Sequence, residues 1–351
     1  MKDEILYNTV KNKIDELFKI LPDMKDKYPY LIVIIMHDLA RNIYPADLYI
    51  PLNNMEHRLN YIDSVLDKYM QMLNIQSSLG GYNIDYNSKV FLDDDVKVNT
   101  GIVYGKLWNE YEGNMVDEAI SIIEERFLNN DIPINLLQGK KVLDAGCGSG
   151  RYSCALAKMG ASHVIGMDYG VDGLKKAKEL ALKNNISNIE FIHASVLNMP
   201  FKDNEFDFVF HNGVFHHTND LHKATKELYR VLKPGGYSWY YIYGAGGIFW
   251  YTRKLMNNFM KQYISQDYAI NMLKMIGMPM NRFIFADNWY VPIETHTTKL
   301  ELEKLFNSIG IDKFRRVFNG RDTDPDYLSE NGTKKDKLMW GDGELRYFIN
   351  K

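Results

Sequence analysis

Residues 142–152 of the 351-residue chain have the sequence VLDAGCGSGRY, an apolar run followed by the alternating glycines Gly146, Gly148 and Gly150. The apolar run predicts a strand, and the glycines predict a tight turn between its carboxyl end and a helix. Glycine permits a positive φ and lets backbone N–H groups approach a ligand without an intervening Cβ. In an open parallel sheet, ligands bind outside the carboxyl ends of the strands. The stretch therefore predicts a ligand-binding turn.

Short apolar runs alternate with amphipathic helical stretches from Lys140 onward. The strand-like runs lie at 141–146, 163–168, 189–194, 206–211 and 236–244, with helical stretches at 151–158, 171–183 and 220–232. This alternation indicates βαβ units and a parallel sheet that is covered on both faces. It resumes with a helix at 299–308 and strands near 314–318 and at 344–350, whereas residues 331–343 are expected to form a loop or hairpin turn. We predict an α/β fold with a Rossmann-like, doubly wound, mostly parallel seven-stranded sheet.

The remaining regions are predicted to be helical. Apolar residues recur at helical spacing in 3–21 and 55–73, so residues 1–95 are expected to form an N-terminal helical region and linker. Residues 96–136 are expected to be a helical lead-in to an α/β domain over 137–351. An α-rich insertion at about 245–297 interrupts this domain after its fifth strand.

The composition narrows the class of protein. The hydrophobic fraction of 46% and the charged fraction of 25% are typical of globular domains. A net charge of −3 gives no reason to expect a nucleic-acid partner. The only two cysteines, Cys147 and Cys154, fit a reducing compartment. The first 20 residues are charged throughout, and the longest apolar run, 30–36, is too short to cross a bilayer, so we expect a cytoplasmic protein without a transmembrane segment.

Two acidic residues indicate which cofactor the turn binds. Asp168 ends the second predicted strand, 18 residues after Gly150, where its carboxylate can accept hydrogen bonds from both ribose hydroxyls. The NAD fingerprint requires the spacing G-x-G-x-x-G, which seats a pyrophosphate on the helix N-terminus. This chain instead has G-x-G-x-G preceded by Asp144, an acid that would repel a pyrophosphate and suit the ammonium and sulfonium of S-adenosylmethionine (SAM). The pattern favours SAM over NAD and over a glycine turn without a ligand.

From about Leu137 to Gly236 the chain resembles the class I SAM-dependent methyltransferases of the UbiE-like, small-molecule type. VLDAGCGSGRY resembles their first motif and VIGMDYG their acidic second motif, and SVLNMPFKDNEFDFVF, HNGVFHHT and ELYRVLKPGG follow in the family's order. The resemblance implies methyl transfer from SAM, with S-adenosylhomocysteine (SAH) as the product. It also implies that the helical lead-in caps the cofactor site.

The resemblance implies ten cofactor-binding residues. They are Asp144, Gly146, Cys147, Gly148, Gly150, Asp168, Tyr169, Ser195, Val196 and Asn212. Asp168 would bind the ribose, Tyr169 would pack near the adenine, and Asn212 would flank the methyl-transfer site. Ser195 stands where most relatives carry Asp, a departure that weakens the expected contact with the adenine amino group, although a serine hydroxyl can also accept that hydrogen bond.

The segment HNGVFHHTNDLH contains four histidines, His211, His216, His217 and His222. No carboxylate or cysteine completes an obvious ligand set, so we expect no metal site. The pair His216–His217 matches the family's ordinary pattern, in which the two residues cap or pack at the start of a helix. A catalytic-base role for His216 or His217 is the alternative, and it would apply to a hydroxyl acceptor.

The methyl acceptor is the least defined part of the prediction. We expect the acceptor to contact Tyr243 at the end of the fifth strand, Trp250 and Trp289 in the insertion, and Trp108 in the lead-in. The alternative is that these aromatic residues pack in a core or form a dimer contact. We expect a small organic acceptor, methylated at oxygen or nitrogen. The alternatives are an inactive SAM-binding regulatory or scaffold protein and a methyltransferase for RNA or protein. The N-terminal region or the insertion could also form a homodimer.

Overall fold

The computed structural model describes residues 2–43, 55–79, 114–275 and 288–351. The chain divides into two compact units. The first unit comprises Met1–Asp94, Ala245–Val291 and Leu328–Asp342. The second unit comprises Asp95–Gly244, Pro292–Tyr327 and Gly343–Lys351. Residues predicted as the N-terminal region and as the insertion thus fall largely within one unit.

The described residues form α-helices in both units. They are α1 (Lys2–Met24), α2 (Pro29–Ile43), α3 (Met55–Leu79), α4 (Met115–Leu128), α5 (Arg151–Lys158), α6 (Val171–Lys183), α7 (Leu221–Val231), α8 (Gly247–Tyr263), α9 (Gln266–Met275), α10 (Lys299–Ser308), α11 (Pro325–Asn331) and α12 (Lys334–Trp340). Among the described helices, none combines the length and the apolar character that crossing a bilayer requires.

The second unit is built on a seven-stranded sheet with the order β3-β2-β1-β4-β5-β7-β6. Its strands are β1 (Lys141–Ala145), β2 (His163–Asp168), β3 (Ile189–His193), β4 (Phe206–Asn212), β5 (Leu232–Tyr243), β6 (Lys313–Val317) and β7 (Glu344–Asn350). The first five strands pair in parallel, and β7 is antiparallel to both β5 and β6. The predicted Rossmann-like, mostly parallel seven-stranded sheet is confirmed. The strand order reverses between β1 and β4, which is where such sheets bind ligands.

An apolar cluster covers each face of this sheet. Successive side chains of a strand point to opposite faces, so neighbouring residues belong to different clusters. Leu143 of β1 belongs to an apolar cluster that includes Leu228 of α7 and Phe306 of α10. Its neighbour Val142 belongs to a second cluster, with Phe127 of α4. Burial on both faces explains why the central strands β1, β2 and β4 are largely apolar runs in the sequence.

In the first unit, α1 and α3 pack along the apolar stripes that the sequence pattern indicates. Val10, Ile14, Leu17 and Leu21 of α1 are completely buried. Lys13 lies on a neighbouring part of α1, and its Nζ is 2.8 Å from a carboxylate oxygen of Asp63 and of Asp67 on α3. These ion pairs are partly exposed, so the apolar stripe stabilises the helix pair more than they do.

The prediction of a loop or hairpin turn over 331–343 is wrong, because helix α12 occupies Lys334–Trp340. A capping box starts this helix: Thr333 Oγ1 accepts the N–H of Asp336, and the Asp336 carboxylate accepts the N–H of Thr333. At the other end of α12, Trp340 is completely buried, with its ring centroid 5.5 Å from that of Phe249. A reciprocal cap and a buried aromatic anchor stabilise a helix that is too short to show apolar periodicity.

We expect Thr333→Ala to lower the free energy of unfolding by about 1 kcal/mol, because the substitution removes the N-cap hydroxyl. Thr333→Ser keeps that hydroxyl and serves as the control, with a loss well below that of the alanine variant. Equilibrium urea unfolding of the three proteins measures the difference. Equal stability of the alanine and serine variants would show that the cap contributes nothing.

Candidate active site

The turn between β1 and α5 has a left-handed backbone at all three predicted glycines. The φ angles are 99° at Gly146, 53° at Gly148 and 80° at Gly150. The N–H groups of Gly146 and Cys147 donate to the carbonyl of Met167 on β2, at 2.8 and 3.0 Å. An L-residue with a Cβ costs about 1–2 kcal/mol in this region of φ/ψ space. The backbone conformation by itself therefore favours glycine at these positions.

Close packing is a second reason why glycine, and not a larger residue, occupies two of these positions. A Cβ on Gly146 would lie 2.3 Å from Cγ2 of Val214, in the loop after β4. A Cβ on Gly150 would lie 2.6 Å from the Cβ of Ala177 on α6. The glycines thus let the loop after β4 and helix α6 approach the turn. Their own N–H groups donate within the protein, to Met167, Asp168 and Cys147.

Asp168 connects the end of β2 to the turn. Its Oδ2 accepts the N–H of Gly148 at 2.8 Å, and its Oδ1 accepts the N–H of Gly170 at 2.7 Å. Burial raises the pKa of this carboxyl group, and backbone N–H bonds from Gly170, Gly148 and Tyr169 counteract part of the rise. The side chain is half-buried, and its two oxygens have about four lone-pair positions, so the three N–H bonds leave some acceptor capacity. Asp168 can therefore shape the turn and still accept hydrogen bonds from a ligand.

Asp144 lies inside the unit behind the turn. It is 2% exposed, and its Oδ2 accepts a hydrogen bond of 2.6 Å from the hydroxyl of Ser153 on α5. Burial raises the pKa of Asp144 to about 7, with a further contribution from the nearby Asp168. The side chain thus anchors the first turns of α5 beneath the glycines. Cys147 in the turn is also buried, and burial raises the pKa of its thiol well above the ordinary value.

The predicted adenine-side residues follow the carboxyl ends of β2 and β3. Tyr169 is 40% exposed, and its ring centroid is 5.1 Å from that of His193. The N–H of Ala194 donates to the carbonyl of Asp168, which joins the two strand ends. Ser195 Oγ accepts the N–H of Leu197 at 3.3 Å within a turn, and the neighbouring Val196 is buried.

Asn212 ends β4, and its Oδ1 accepts a hydrogen bond of 3.2 Å from the guanidinium of Arg126. Arg126 lies in the last turn of α4 and is 8% exposed. The sequence analysis missed this arginine. It sits beside the apolar residues of an amphipathic helix, and a single sequence gives no signal that it points into the unit.

Three of the four histidines in this segment, His211 in β4 and the pair His216–His217 after it, are buried within the second unit, whereas His222 on α7 is exposed. His211 Nε2 accepts the N–H of Phe215 at 2.9 Å, and burial lowers the pKa of His211 well below its ordinary value. His216 accepts the N–H of Tyr243 at Nδ1, and its ring stacks on that of Tyr243 with centroids 3.6 Å apart. His217 Nδ1 donates to the carbonyl of Ile293 at 2.9 Å. These contacts join the 3₁₀ turn Phe215–His217 to β5 and to the chain beyond residue 292.

The predicted acceptor residues are distributed between the two units. Tyr243 ends β5 in the second unit, whereas Trp250 and Trp289 belong to the first unit, where both are buried. Trp108 lies outside the described residues. Within the described ranges, no three His, Cys, Asp or Glu side chains are grouped so that they could hold a metal ion.

Comparison with known proteins identifies the domain. Residues 143–240 match the family described as "Methyltransferase domain". These residues include the glycine turn, Asp168 and the histidine segment. Residues 143–240 form a class I methyltransferase domain.

Two relatives and one solved structure illustrate the similarity of this methyltransferase domain. A demethylmenaquinone methyltransferase of Geobacillus sp. is 36% identical over 105 residues, which are 29% of this chain and 45% of the relative. A sterol 24-C-methyltransferase of Gibberella zeae is 36% identical over 120 residues, or 33% of this chain and 31% of the relative. The chain thus spans less than half the length of these curated relatives. The crystal structure of a SAM-dependent methyltransferase from Aquifex aeolicus aligns with this chain at 18% sequence identity and a TM-score of 0.41. The alignment covers 70% of this chain and 96% of the Aquifex chain.

We expect Gly146→Ala to destabilise the second unit by about 1–3 kcal/mol, because the new Cβ collides with Val214. Val214→Ala removes the two Cγ atoms and should restore part of this loss in the double variant. Urea unfolding of both single variants and the double variant gives the coupling energy. Strictly additive losses would mean that the contact with Val214 does not limit this position.

We expect the stability of the protein to depend on pH through Asp144. Its pKa is about 7 in the folded chain against an ordinary value of 3.8, so between these values the unfolded chain releases a proton that the folded chain keeps. This contribution lowers stability as pH rises from about 4 to 7, by at most about 1.4 kcal/mol per pH unit, and is constant above that window.

The measurement is urea unfolding of the wild type and Asp144→Asn from pH 4 to 8.5. The asparagine keeps an oxygen that accepts the Ser153 hydrogen bond but cannot ionise. The stability of the variant relative to the wild type should therefore increase across the window and then level off. Parallel pH profiles would contradict the raised pKa.

Proposed function

We propose that this protein is a SAM-dependent methyltransferase that moves a methyl group to an oxygen or nitrogen of a small organic acceptor and releases SAH. The observation that carries the proposal is the hydrogen bond from Gly148 N–H to Asp168. It sets a carboxylate with remaining acceptor capacity beside a left-handed glycine turn, at the carboxyl ends of β1 and β2.

The residues around the turn fit SAM. A ribose diol needs hydrogen-bond acceptors, and the Asp168 carboxylate has about four lone-pair positions, of which the N–H groups of Gly148, Gly170 and Tyr169 use three. The exposed ring of Tyr169 suits packing against an adenine. The electrostatic argument from Asp144 is weaker than its sequence position suggests, because that carboxylate is directed inward to Ser153. The choice of SAM over NAD therefore rests on the glycine spacing and the domain family.

When bound, SAM supplies a methyl group that its sulfonium has already activated for in-line displacement. The chain's own task is then to hold donor and acceptor in line, an effect worth up to about 7–11 kcal/mol. The glycine turn and Asp168 would fix the adenosyl part, and Asn212 at the end of β4 would flank the reacting atoms.

For a hydroxyl acceptor, His217 is better suited than His216 to take up the proton. The Nδ1–H of His217 donates to the carbonyl of Ile293, so the neutral ring carries its basic lone pair on Nε2. His216 accepts a backbone N–H at Nδ1, so its neutral ring carries the proton on Nε2. His216 is also completely buried, whereas His217 is 7% exposed. A neutral amine acceptor would need neither histidine.

The acceptor class is inferred from small-molecule methyltransferases. The relatives are named for demethylmenaquinone and for a sterol, both small organic molecules. Contact of the acceptor with Trp108, Tyr243, Trp250 and Trp289 stays a prediction, as do the homodimer and the cytoplasmic location.

We expect SAH to raise the Tm of the wild type by about 5–10 °C at a hundredfold excess over its Kd, whereas NADH leaves it unchanged. Asp168→Ala should abolish the shift because it removes both ribose acceptors. The exposed Asp312→Ala is the matched control and should keep it. A thermal shift with NADH but not with SAH would overturn the choice of cofactor.

Methyl transfer itself is tested with radiolabelled SAM against a panel of small organic acceptors. We expect the label to appear in one of them, and mass spectrometry of that product should show that one hydrogen has been replaced by a methyl group. Binding of SAH without turnover on any acceptor would favour a SAM-binding regulatory or scaffold protein. Label recovered in RNA or protein would move the acceptor out of the small-molecule class.

A further inference from the structure

Glu294 and His296 form a close pair in the second unit, in the segment that precedes α10. Nε2 of His296 lies 2.8 Å from Oε1 of Glu294, and the two side chains are 15% and 5% exposed. When Glu294 is ionised, the Nε2–H of His296 donates to its carboxylate, so the neutral ring carries its lone pair on Nδ1. A histidine oriented by a carboxylate in this way has the composition of a general base.

Backbone contacts fix the chain on both sides of this pair. The carbonyl of Ile293 accepts the Nδ1–H of His217, and the N–H of Thr295 donates to the carbonyl of His216 at 2.8 Å. Further along the chain, the side chain of Thr298 caps the first turn of α10. The pair therefore sits on a segment that is held at both ends, as a site that must keep its geometry requires.

The pair lies at the carboxyl edge of the sheet. The ring centroid of His296 is 6.4 Å from that of Tyr243, the last residue of β5. Strand β5 pairs in parallel with β4 up to Asn212, the last residue of β4. The 3₁₀ turn that holds the segment directly follows Val214, the residue that packs against Gly146. These contacts put the pair on the edge of the sheet that carries the glycine turn, where such sheets bind ligands.

His296 is better suited to act as a base than either histidine of the segment HNGVFHHT. His216 and His217 are buried, and each uses its Nδ1 on a backbone group. A carboxylate stabilises the imidazolium that forms on proton uptake more than a backbone carbonyl does, because it carries a full negative charge. The partial exposure of the His296 side chain also leaves it more accessible than the two buried rings.

We propose that His296 is the catalytic base that takes the proton of an aromatic hydroxyl acceptor, with Glu294 as the positioning residue that fixes its tautomer. The inference rests on the proposed function. The hydroxyl oxygen forms a bond to the methyl carbon of SAM as the carbon–sulfur bond breaks, and the electron pair of that bond stays on the sulfur of SAH. The hydroxyl proton moves to Nδ1 of His296, and the electron pair of the O–H bond stays on the oxygen.

An aromatic hydroxyl fits this edge better than an amine or an aliphatic alcohol. A neutral amine attacks with its own lone pair and needs no base to do so. A phenol, with a pKa of about 10, gives up its proton to an imidazole more readily than an aliphatic alcohol does. The rings of Tyr243 and His296 also suit contact with an aromatic acceptor.

Steady-state methyl transfer from radiolabelled SAM by the full chain tests the assignment with two probes, 4-methylphenol and 4-nitrophenol, at about pH 8.5. At this pH the first probe keeps its hydroxyl proton, whereas the second is already ionised. We expect His296→Gln to lower kcat on 4-methylphenol by about 100-fold or more and to leave kcat on 4-nitrophenol within about threefold. The glutamine keeps an N–H donor for Glu294 but is not a base, and the affinity for SAH should be unchanged.

Glu294→Gln keeps an acceptor for the ring but removes the charge that stabilises the imidazolium. It should lower kcat on 4-methylphenol by about tenfold and have little effect on 4-nitrophenol. This variant decides the question if His296→Gln does not fold, which circular dichroism would report. His222→Gln is the matched control, since this exposed histidine on α7 belongs to the same unit, and it should leave both rates unchanged.

Equal losses on both probes in His296→Gln or Glu294→Gln would assign a purely structural role to the pair and overturn the inference. A selective loss on 4-methylphenol in His217→Gln but not in His296→Gln would make His217 the base and also overturn it. A wild type that methylates another acceptor of the panel but neither phenol contradicts this inference alone. A wild type that methylates nothing contradicts the proposed function.

Discussion

The hydrogen bond between the Gly148 N–H and the Asp168 carboxylate is the interaction on which the site depends. It joins the turn after β1 to the end of β2, two strands that already pair in parallel up to Met167. The backbone bonds from Gly146 and Cys147 to Met167 hold the first half of the turn, and the charge-assisted bond to Asp168 holds the second half. Because the carboxylate has lone pairs to spare, the group that orders the turn is also available to a ligand.

The glycines of the turn satisfy constraints from several directions at once. Their positive φ angles bring the backbone back toward β2, and the missing Cβ atoms admit Val214 from the loop after β4 and Ala177 from α6. Gly173 lets the first turn of the same helix, α6, approach as well, since a Cβ there would lie 3.0 Å from the carbonyl oxygen of Gly148. The turn is thus the place where four segments of the chain meet, and its shape is set by packing as well as by local backbone preference.

The sheet could be predicted from the sequence because its signals are local: each apolar run, each glycine and Asp168 identify themselves within a few residues. Arg126 could not, since its partners Asn212 and Asn319 are 86 and 193 residues away and no pattern near Arg126 indicates them. Helix α12 is an intermediate case. Its capping box is visible three residues apart in the sequence, but flanking glycines and a length of seven residues made a loop the simpler interpretation.

The distribution of charge gives the site a direction. At the end of β2, Asp168 offers lone pairs to hydrogen-bond donors, whereas Arg126 on α4 uses its N–H groups on the amide oxygens of Asn212, at the end of β4, and of Asn319. Between these ends, Asp144 is turned inward to Ser153, so it adds no competing negative charge at the surface of the turn. The neighbouring Arg346 is neutralised by Asp326 and Glu344 and adds no second cationic position. Asp168 is therefore the carboxylate that faces the turn, and a hydroxyl group is favoured beside it over an anionic group.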